Sequence, residues 1–308
     1  MALSLLPAGV SCSDFNRGAI GTSAAQFLKL APGARGVALG EAYSAMADDA
    51  SAMYWNPAGL IKTRSHSLVF MHSAYLASSF FDYLAYSQRQ GDAGSWGFSV
   101  QYMNSGEITR TDASGVEEGV FTPSDIAIAV GFASDISGYR KDPEERFSMG
   151  AAGKVVRSKI LSSNTTLAAD AGFLSPCFFD RRFQMSFSAQ NIVGSLKFNQ
   201  ESYPLPLIFR LGTKTSLTRY WDVTADLAAP RDNYPYLAMG TEVRINASKT
   251  ATMSVRAGFN TRSISDLEGS RNFSLGFGLA GRTLSVDYAF VPFGDLGNTH
   301  RLSVGFSF

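Results

Sequence analysis

From Arg64 to the last residue, the chain alternates apolar side chains with small or polar ones at a period of two. The pattern is strictest at the end, where one face of a strand would carry Leu302, Val304, Phe306 and Phe308. Side chains two residues apart point to the same side of a β-strand. The period therefore predicts an all-β structure for most of the chain, either a soluble sheet protein or a membrane barrel.

The alternation divides into fourteen candidate strands of about ten residues each, a length that suits a tilted strand crossing a bilayer. They lie near residues 66–75, 79–90, 95–104, 124–134, 147–159, 164–174, 183–193, 206–217, 220–229, 235–246, 250–260, 272–281, 283–292 and 299–308. The first two alternate less clearly than the others. The eight prolines after Pro57 all fall at or next to a boundary between segments, which supports this division.

The lengths of the connections favour a barrel with both termini on the periplasmic side. In such a barrel, the longer loops lie on one side of the membrane and the short turns on the other. The long connections all fall on one side, at 105–123, 194–205 and 261–271. The short turns all fall on the other, at 218–219, 247–249 and 281–282. The connection 135–146 is an exception to this parity.

The two faces of the strands differ in charge. One face carries almost none, as contact with lipid requires. The other is mostly Ser, Gly, Ala and Thr, with single charges of both signs that we expect to line a partly wet lumen: Lys154, Asp170, Arg210, Lys214, Asp226, Glu242, Arg244, Arg256 and Asp287. Closure would also remove unpaired strand edges from lipid. We therefore predict a fourteen-stranded antiparallel outer-membrane β-barrel over residues 64–308.

The C-terminal strand supports this prediction. Outer-membrane barrels commonly end on an alternating strand with a terminal phenylalanine, which their assembly machinery recognises. We expect an assembly signal of this kind in Leu302, Val304, Phe306 and Phe308.

Residues 22–63 predict a short helical plug, or alternatively a helical subdomain outside the barrel. Ser23 is a possible N-cap of a helix that runs through Leu30, and a second helix is expected over 34–47. Asp48 is a possible N-cap of a third helix, from Asp49 to Trp55. Residues 1–21 are typical of a signal-peptide remnant or a flexible terminus, in which Cys12 is either a lipidation site or an ordinary residue near a cleavage site.

Composition and motifs exclude several classes of protein. Charged residues make up 17% of the chain and the net charge is +1, so a basic nucleic-acid footprint is absent. The apolar run from Ile126 to Ala133 is too short for a transmembrane helix. The G-x-G-x-x-G pattern at 276–281 lies within an alternating strand, without the helix that a dinucleotide site needs. Two cysteines and three histidines show no metal-ligand spacing. We predict no enzyme activity, metal or cofactor.

Several stretches resemble one family of outer-membrane proteins. They are GTSAAQFLKL from Gly21, GARG from Gly33, ADDASAMYWNPAGL from Ala47, and DYAFVPFGDLGNTHRL from Asp287. They are similar to the opening and the last hairpin of PorV/PorQ family proteins, and NIVG at 191–194 and YPLPLIFRLG at 203–212 also fit. The turn at Asn56, Pro57 and Ala58 is similar to the hatch of FadL-type fatty-acid transporters, the wider superfamily.

The resemblance implies a fourteen-stranded barrel with an N-terminal plug, and two functions. The first is a protein-binding component of a type IX secretion or surface-attachment system, which would bind a larger translocon barrel or exported proteins through loop residues such as Phe293, Asp295 and Leu296. The second is passive transport of hydrophobic small molecules, such as a fatty-acid-like ligand. In that case the hatch would comprise Asp48, Asp49, Asn56, Pro57, Ala58 and Gly59. The short loops of this chain depart from the larger PorV-like proteins.

Overall fold

The computed structural model describes residues 14–75, 78–91, 94–137, 145–198, 200–262, 272–293 and 297–308. Within these ranges, fourteen antiparallel strands close into a barrel, and residues 23–63, which are mostly buried, fill its interior. No helix in the described ranges is long and apolar enough to cross a membrane.

The strands of the described residues are numbered in chain order. They are β1 (His66–Ala74), β2 (Phe80–Arg89), β3 (Ser95–Asn104), β4 (Ile108–Thr111), β5 (Glu117–Phe121), β6 (Ser124–Asp135), β7 (Ser148–Lys159), β8 (Ser163–Leu174), β9 (Phe183–Gln190), β10 (Ser195–Phe198), β11 (Glu201–Pro204), β12 (Ile208–Thr218), β13 (Trp221–Pro230), β14 (Tyr236–Asn246), β15 (Thr252–Asn260), β16 (Phe273–Ala280), β17 (Leu284–Pro292) and β18 (Asn298–Ser307). The barrel contains all of them except two hairpins, β4–β5 and β10–β11. The fourteen predicted strands are thus confirmed, and the two hairpins lie inside connections that were predicted as loops.

The two ends of the barrel differ. The connections at 105–123 and 191–207, which contain the two hairpins, lie at what we call the long-loop end. The turns at 219–220, 247–251 and 281–283 lie at the opposite, short-turn end, together with Phe308. The connection between β6 and β7 also lies at the short-turn end, so it is the one exception to the predicted parity among these connections.

The faces of the strands follow the predicted alternation. On β18, Arg301 is 4% exposed and points into the lumen, whereas Leu302 is 50% exposed and points outward. On β16, Leu275 and Phe277 are likewise outward-facing and more than half exposed. A wall that is apolar outside and polar inside is the arrangement of a barrel in lipid.

The weak alternation of β1 and β2 has a structural reason. Their inward-facing side chains are themselves apolar, because they pack against the plug. Val69 and Met71 on β1 and Phe81 and Tyr83 on β2 belong to one buried cluster with plug residues such as Trp55. When both faces of a strand are buried or apolar, the period of two disappears from the sequence.

Barrel closure brings the C-terminus onto β1. The backbone N–H of His66 donates to the Phe308 carbonyl at 2.8 Å, and the N–H of Phe308 donates to the His66 carbonyl at 3.0 Å. The rings of these residues stack with centroids 4.9 Å apart. Leu302, Phe306 and Phe308 are exposed on the outer surface, where an assembly factor could reach them.

The plug is less helical than its sequence predicted. It contains α1 (Ala34–Ala38), α2 (Ala52–Trp55) and three short 3₁₀ helices, Arg17–Ala19, Gln26–Lys29 and Pro57–Lys62. The helix predicted over 34–47 ends at Ala38, because Gly40 and Glu41 both have positive φ angles. A Cβ on Gly40 would lie 2.6 Å from the backbone nitrogen of Phe259. Close packing against the barrel wall therefore overrides local helix propensity here.

The described chain enters the barrel at the long-loop end. Asp14 forms an ion pair with Arg231 at 3.0 Å, and the ring of Phe15 stacks on Phe209 at 6.1 Å. Arg231 follows β13 at the end opposite Phe308. The first described residues and the C-terminus thus lie at opposite ends of the barrel, and the predicted position of the N-terminus falls outside the described residues. Residues 1–13, including Cys12, lie outside the described residues.

Candidate functional site

Ion pairs fix the plug to one wall of the lumen. At their centre is Glu242 on β14, whose side chain is 1% exposed. Arg35 of α1 donates to both carboxylate oxygens of Glu242, at 3.0 and 3.1 Å, and Arg256 of β15 donates at 2.5 Å. Arg256 also pairs with Asp287 of β17 at 2.7 Å. Four of the predicted or adjoining charges thus form one connected, mostly buried network.

Of the other predicted lumen charges, Lys154 and Asp170 form a separate pair, whereas Arg244 and Lys214 extend this network through Asp222. Lys154 and Asp170 make a buried pair at 2.6 Å. Arg244 lies 2.7 Å from Asp222 and 3.6 Å from Glu242. Lys214 is 3.9 Å from Asp222. Asp222 also faces the lumen, but the sequence-based prediction of lumen charges did not include it.

Arg210 and Asp226 hold the middle of the plug. The guanidinium of the fully buried Arg210 lies over the ring of Trp55, 5.4 Å from its centroid. The carboxylate of Asp226 accepts a hydrogen bond from the backbone N–H of Ser44 at 3.0 Å. A cation–π contact and a charge-assisted bond on two neighbouring strands therefore fix the plug from the β12–β13 side.

The two carboxylates at the start of the third predicted helix do not cap it. Asp48 pairs instead with Arg35 at 2.7 Å. Asp49 accepts hydrogen bonds from the N–H and the hydroxyl of Ser51, at 2.8 and 2.5 Å. Helix α2 begins later, and its N-cap, Ser51, makes no capping bond through its side chain. Burial raises the pKa of Asp49 above its ordinary value, and the neighbouring Asp48 carboxylate adds to this effect.

The Asn56-Pro57-Ala58-Gly59 turn is fully buried against the barrel wall. The Asn56 side chain accepts from the N–H of Ala58 at 3.0 Å and donates to the carbonyl of Phe173 at 3.0 Å. Glycines on the wall make room for this turn. A Cβ on Gly150 would lie 2.4 Å from the carbonyl carbon of Pro57. The predicted hatch turn is therefore a tightly fitted contact between plug and wall.

An apolar cavity of about 600 Å³ opens at the long-loop end. Its walls come from the plug, the barrel rim and both hairpins: Ala25, Phe27, Leu30, Met103, Ile108, Phe121, Ile160 and Phe198 line it, with Lys159 and Asp125 among the few charges. Sequence reasoning missed this site, because it treated 105–123 and 194–205 as loops. The apolar residues Ile108, Val120 and Phe121 within the first of these loops were the available signal.

A smaller cavity of about 90 Å³ lies beside it and shares Leu30 and Tyr75 with it. It is lined by three cationic side chains, Lys29, Arg262 and Arg301, and by one acid, Glu41. Arg262 contacts both Glu41 and the hydroxyl of Tyr236. Lys29 pairs with Asp232 at 2.9 Å, so within the described residues Arg301 is the cation beside the apolar cavity that forms no ion pair.

The barrel wall is weakest between β8 and β9. These strands pair only over four positions, from Ala171 opposite Ala189 to Leu174 opposite Ser186. On the short-turn side of this ladder the N–H of Ser175 donates to the carbonyl of Met185 at 2.9 Å. On the long-loop side Asn191 adopts a positive φ of 56°, and the N–H of Ile192 donates to the carbonyl of Ala169 at 2.8 Å. Beyond it, the β10–β11 hairpin covers the gap, with Leu196 buried against Ala168, Val156 and Phe27. We call this discontinuity the β8–β9 seam.

The predicted loop contacts are described only in part. Phe293 lies at the long-loop end, and its ring meets the edge of Tyr75 with centroids 5.9 Å apart. Asp295 and Leu296 lie outside the described residues. Among the described residues, no group of three or more His, Cys, Asp or Glu side chains is placed to hold a metal ion.

The fold has known relatives among solved structures. The chain is similar to the toluene transporter TbuX of Ralstonia pickettii, with a TM-score of 0.53 and 12% identity over 90% of this chain and 98% of that one. It is similar to the toluene transporter TodX of Pseudomonas putida, with a TM-score of 0.53 and 9% identity over 85% and 95%. For a Pseudomonas aeruginosa FadL homologue the values are 0.53 and 11%, over 98% and 100%. The fold is that of a FadL-like barrel.

Sequence comparison adds one match. The model of the Uncharacterised protein family (UPF0164) matches residues 8–158, just under half of the chain. No curated protein matches the sequence. The resemblance to the PorV/PorQ family is not confirmed by these comparisons.

Proposed function

We propose that this chain is an outer-membrane channel that binds a hydrophobic small molecule at its long-loop end and releases it sideways through the barrel wall. The observation that carries the proposal is the apolar cavity of about 600 Å³ between the plug and the two hairpins. Cavities of roughly 300–1,000 Å³ with mostly apolar walls are typical sites for small ligands. Two structural relatives are toluene transporters, which agrees with such a ligand.

In this proposal the long-loop end faces the outside of the cell. The apolar side chains on the outer surface of the barrel contact outer-membrane lipid. The short turns and Phe308 then face the periplasm, as they do in outer-membrane barrels generally. The described N-terminal residues would lie at the outer rim, beside Arg231. No chemical step is assigned to the protein.

An exit along the barrel axis is unfavourable for an apolar molecule. It would have to pass the plug and the network around Glu242, where Arg35 and Arg256 are held by buried ion pairs. Opening that network would leave charges without partners, at a cost of about 3–5 kcal/mol for each buried pair broken. The polar network therefore opposes axial passage.

The β8–β9 seam offers a less costly route. The apolar cluster beneath it, which includes Phe27 and Leu196, borders the cavity through Phe27, Leu30 and Phe198. Moving the β10–β11 hairpin would break no described ladder pairing with the barrel, because its two strands pair only with each other. The wall behind it is joined by only four paired positions of β8 and β9. The lumen side of the seam also carries the buried Lys154–Asp170 pair, whose Asp170 carboxylate accepts a hydrogen bond from the N–H of Asn191 at 2.7 Å. A ligand on this route would therefore pass beside one ion pair, without opening the network around Glu242.

The neighbouring cations favour a ligand that carries one negative charge. Lys29, Arg262 and Arg301 line the smaller cavity. Lys29 pairs with Asp232 and Arg262 with Glu41, so within the described residues Arg301 is the cation of this cavity that forms no ion pair. A carboxylate placed there would gain charge-assisted hydrogen bonds while its tail occupied the apolar cavity. This supports a fatty-acid-like ligand, with uncharged aromatic compounds as the other member of the class.

Two adjacent residues on β5 provide a matched test. Phe121 lines the cavity, whereas Val120 is 65% exposed and faces away from it. We expect Phe121→Asp to weaken binding of the fluorescent apolar probe phenylnaphthylamine by at least roughly tenfold, because it places a charge in an apolar wall. Val120→Asp should bind like the parent protein. Equal affinities for the two variants would contradict the assignment of the cavity.

A protein-binding role is the second candidate. The β4–β5 hairpin projects from the long-loop end with Val116 and Val120 each more than 60% exposed, and its strands pair only with each other. Exposed apolar side chains beside free strand edges favour a protein partner, such as a translocon barrel or an exported protein of a type IX secretion system. Deleting residues 107–121 should then abolish co-purification of that partner from the native membrane, with the barrel intact. Recovery of no partner before or after the deletion would count against this role.

A further inference from the structure

The short-turn end holds a second kind of cavity, which the proposed function does not use. Its volume is about 370 Å³, and its walls come from the plug, the linker to β1, and strands β14 to β18. Ten of its twenty lining residues are ionisable: the cations are Arg35, Lys62, Arg64, Arg244, Arg256 and Arg282, and the acids are Asp48, Asp49, Glu242 and Asp287. Six cations thus face four acids.

The inner charges of this cavity largely neutralise one another. Arg35 and Arg256 share the carboxylate of Glu242, and they also hold Asp48 and Asp287. Arg244 pairs with Asp222, which lies outside the cavity. The fourth lining acid, Asp49, is bound by Ser51 and has a raised pKa because it is buried. The acids of the lining are therefore already engaged within the plug–wall network.

The positive excess lies at the mouth. Arg64, in the linker before β1, and Arg282, in the turn before β17, are exposed. Arg64 donates to the carbonyl of Arg282 at 3.3 Å, which places the two residues side by side. Within the described ranges, neither guanidinium forms an ion pair with a carboxylate. Hydroxyl groups of Thr252, Ser254 and Ser285 line the wall behind them.

Two neighbouring arginines and several hydroxyl-bearing residues are a donor set that suits an oxyanion. Arginine presents a planar fork of N–H groups that binds phosphate and carboxylate oxygens in pairs, and serine and threonine add single donors. The cavity volume of about 370 Å³ behind the mouth leaves room for the anion. A hydrophobic molecule would gain nothing in this cavity, so its ligand differs in class from that of the long-loop cavity.

We propose that this cavity is a binding site for a phosphate- or carboxylate-bearing anion, with Arg64 and Arg282 as its main contacts. The anion has two sources, a soluble small molecule on the short-turn side and the headgroup of an anionic phospholipid at the rim of the barrel. The chemistry of recognition is the same for both. The site is separate from the apolar cavity, so it stands or falls independently of the proposed transport.

The test compares the full-length parent protein with the double variant Arg64→Gln/Arg282→Gln. Arg219→Gln is the matched control, because Arg219 is another arginine at the short-turn end, stacked over Tyr220 at 4.8 Å and absent from the lining of the cavity. Calorimetric titration of the detergent-solubilised barrel with inorganic phosphate and with citrate probes the soluble source. Native mass spectrometry from mixed micelles, containing either phosphatidylglycerol or phosphatidylcholine, probes the lipid source.

We expect at least one anionic probe to bind the parent and the control equally, and the double variant about tenfold more weakly. Binding of phosphate or citrate identifies a soluble ligand, and selective retention of phosphatidylglycerol identifies a headgroup. Heat-modifiable migration on gels checks that each variant is a folded barrel. The proposal is overturned if no anionic probe binds the parent, or if the double variant binds as tightly as the control.

Discussion

Replacing Glu242 with glutamine should release the plug without unfolding the barrel. Glu242 is the acid shared by Arg35, Arg244 and Arg256, at N–O distances of 3.0, 3.6 and 2.5 Å. The change leaves the size of the side chain nearly constant but removes the charge that these guanidiniums surround. Asp48, Asp222 and Asp287 still hold one arginine each, so no cation is left wholly unpaired.

The expected cost follows from this arrangement. Removing one partner of a buried ion pair costs about 3–5 kcal/mol. Because the remaining acids still pair with each arginine, we expect Glu242→Gln to cost about 3 kcal/mol. Each 1.36 kcal/mol is a factor of ten in an equilibrium constant, so the open state of the plug should become roughly a hundred times more populated. The strands themselves keep their ladder hydrogen bonds.

Amide hydrogen exchange measures this opening directly, because exchange from the native state reports local opening free energies. We expect plug amides between 34 and 62 to exchange roughly a hundred times faster in Glu242→Gln, with the barrel strands unchanged. Glu118→Gln is the control, since Glu118 pairs with Arg110 on the exposed hairpin, where both side chains are more than 40% exposed, and such pairs contribute little. Unchanged plug exchange in a folded Glu242→Gln barrel would refute the role of this network.

Three further changes test other parts of the structure. Leu275→Arg or Val286→Arg should destabilise the barrel by roughly 2–4 kcal/mol if these residues face lipid near the bilayer midplane, whereas Ser285→Asn should be tolerated. Urea unfolding in lipid vesicles measures the free energy of unfolding of each variant. Equal stabilities would contradict the assigned faces. Gly150→Ala should displace the Asn56-Pro57 turn, because its Cβ would lie 2.4 Å from Pro57. We expect this overpacking to destabilise the folded protein by about 1–3 kcal/mol. Gly153→Ala, with no atom within 4 Å of its Cβ, should have no effect. In a Trp96→Phe/Trp221→Phe background, Trp55 is the remaining fluorophore, and acrylamide should quench it more in Gly150→Ala than in Gly153→Ala. Equal quenching in the two variants would contradict the contact between Gly150 and the Asn56-Pro57 turn. Because the pKa of Asp49 is raised in the folded plug, the folded plug binds the neutral carboxylic acid better than the carboxylate. The plug is therefore most stable below the ordinary carboxyl pKa, and it loses stability as the pH rises through the raised pKa of Asp49. Asp49→Asn should therefore slow plug exchange at neutral pH and match the parent at acidic pH, and a difference independent of pH would show that Asp49 does not titrate in this way.

Much of the barrel could be predicted from its sequence, because lipid outside and polar lumen inside impose the period of two on each strand. Strands such as β16 and β18 show it clearly, and both were predicted within one or two residues of their observed bounds. In β1 and β2 the signal weakens where Met71 and Phe81 face the apolar side of the plug. The existence of the strands could still be read from their length and their flanking turns.

The plug and the cavities were harder to predict, because tertiary contacts determine them. The turn at Gly40 and Glu41 arises from packing against Phe259 and Met239, which no local pattern reveals. The charges predicted for the lumen do line it, but the pairing of Glu242 with Arg35 joins residues that are far apart in sequence. The apolar cavity depends on two hairpins that fold back over the plug, and the course of the described N-terminal residues to the long-loop end had no signal in the alternation.

The lateral route through the β8–β9 seam is the central claim, and it can be tested by locking the seam. Ala169 and Ile192 are joined by a backbone bond of 2.8 Å, so Ala169→Cys/Ile192→Cys should form a disulfide across it. The measurement is uptake of radiolabelled oleate and toluene by bacteria that express this variant in place of their own channel for hydrophobic compounds. We expect uptake by the double variant to fall under oxidising conditions and to recover after reduction. The variants that carry only Ala169→Cys or only Ile192→Cys should take up both compounds like the parent. Undiminished uptake through a fully cross-linked seam would contradict the lateral route.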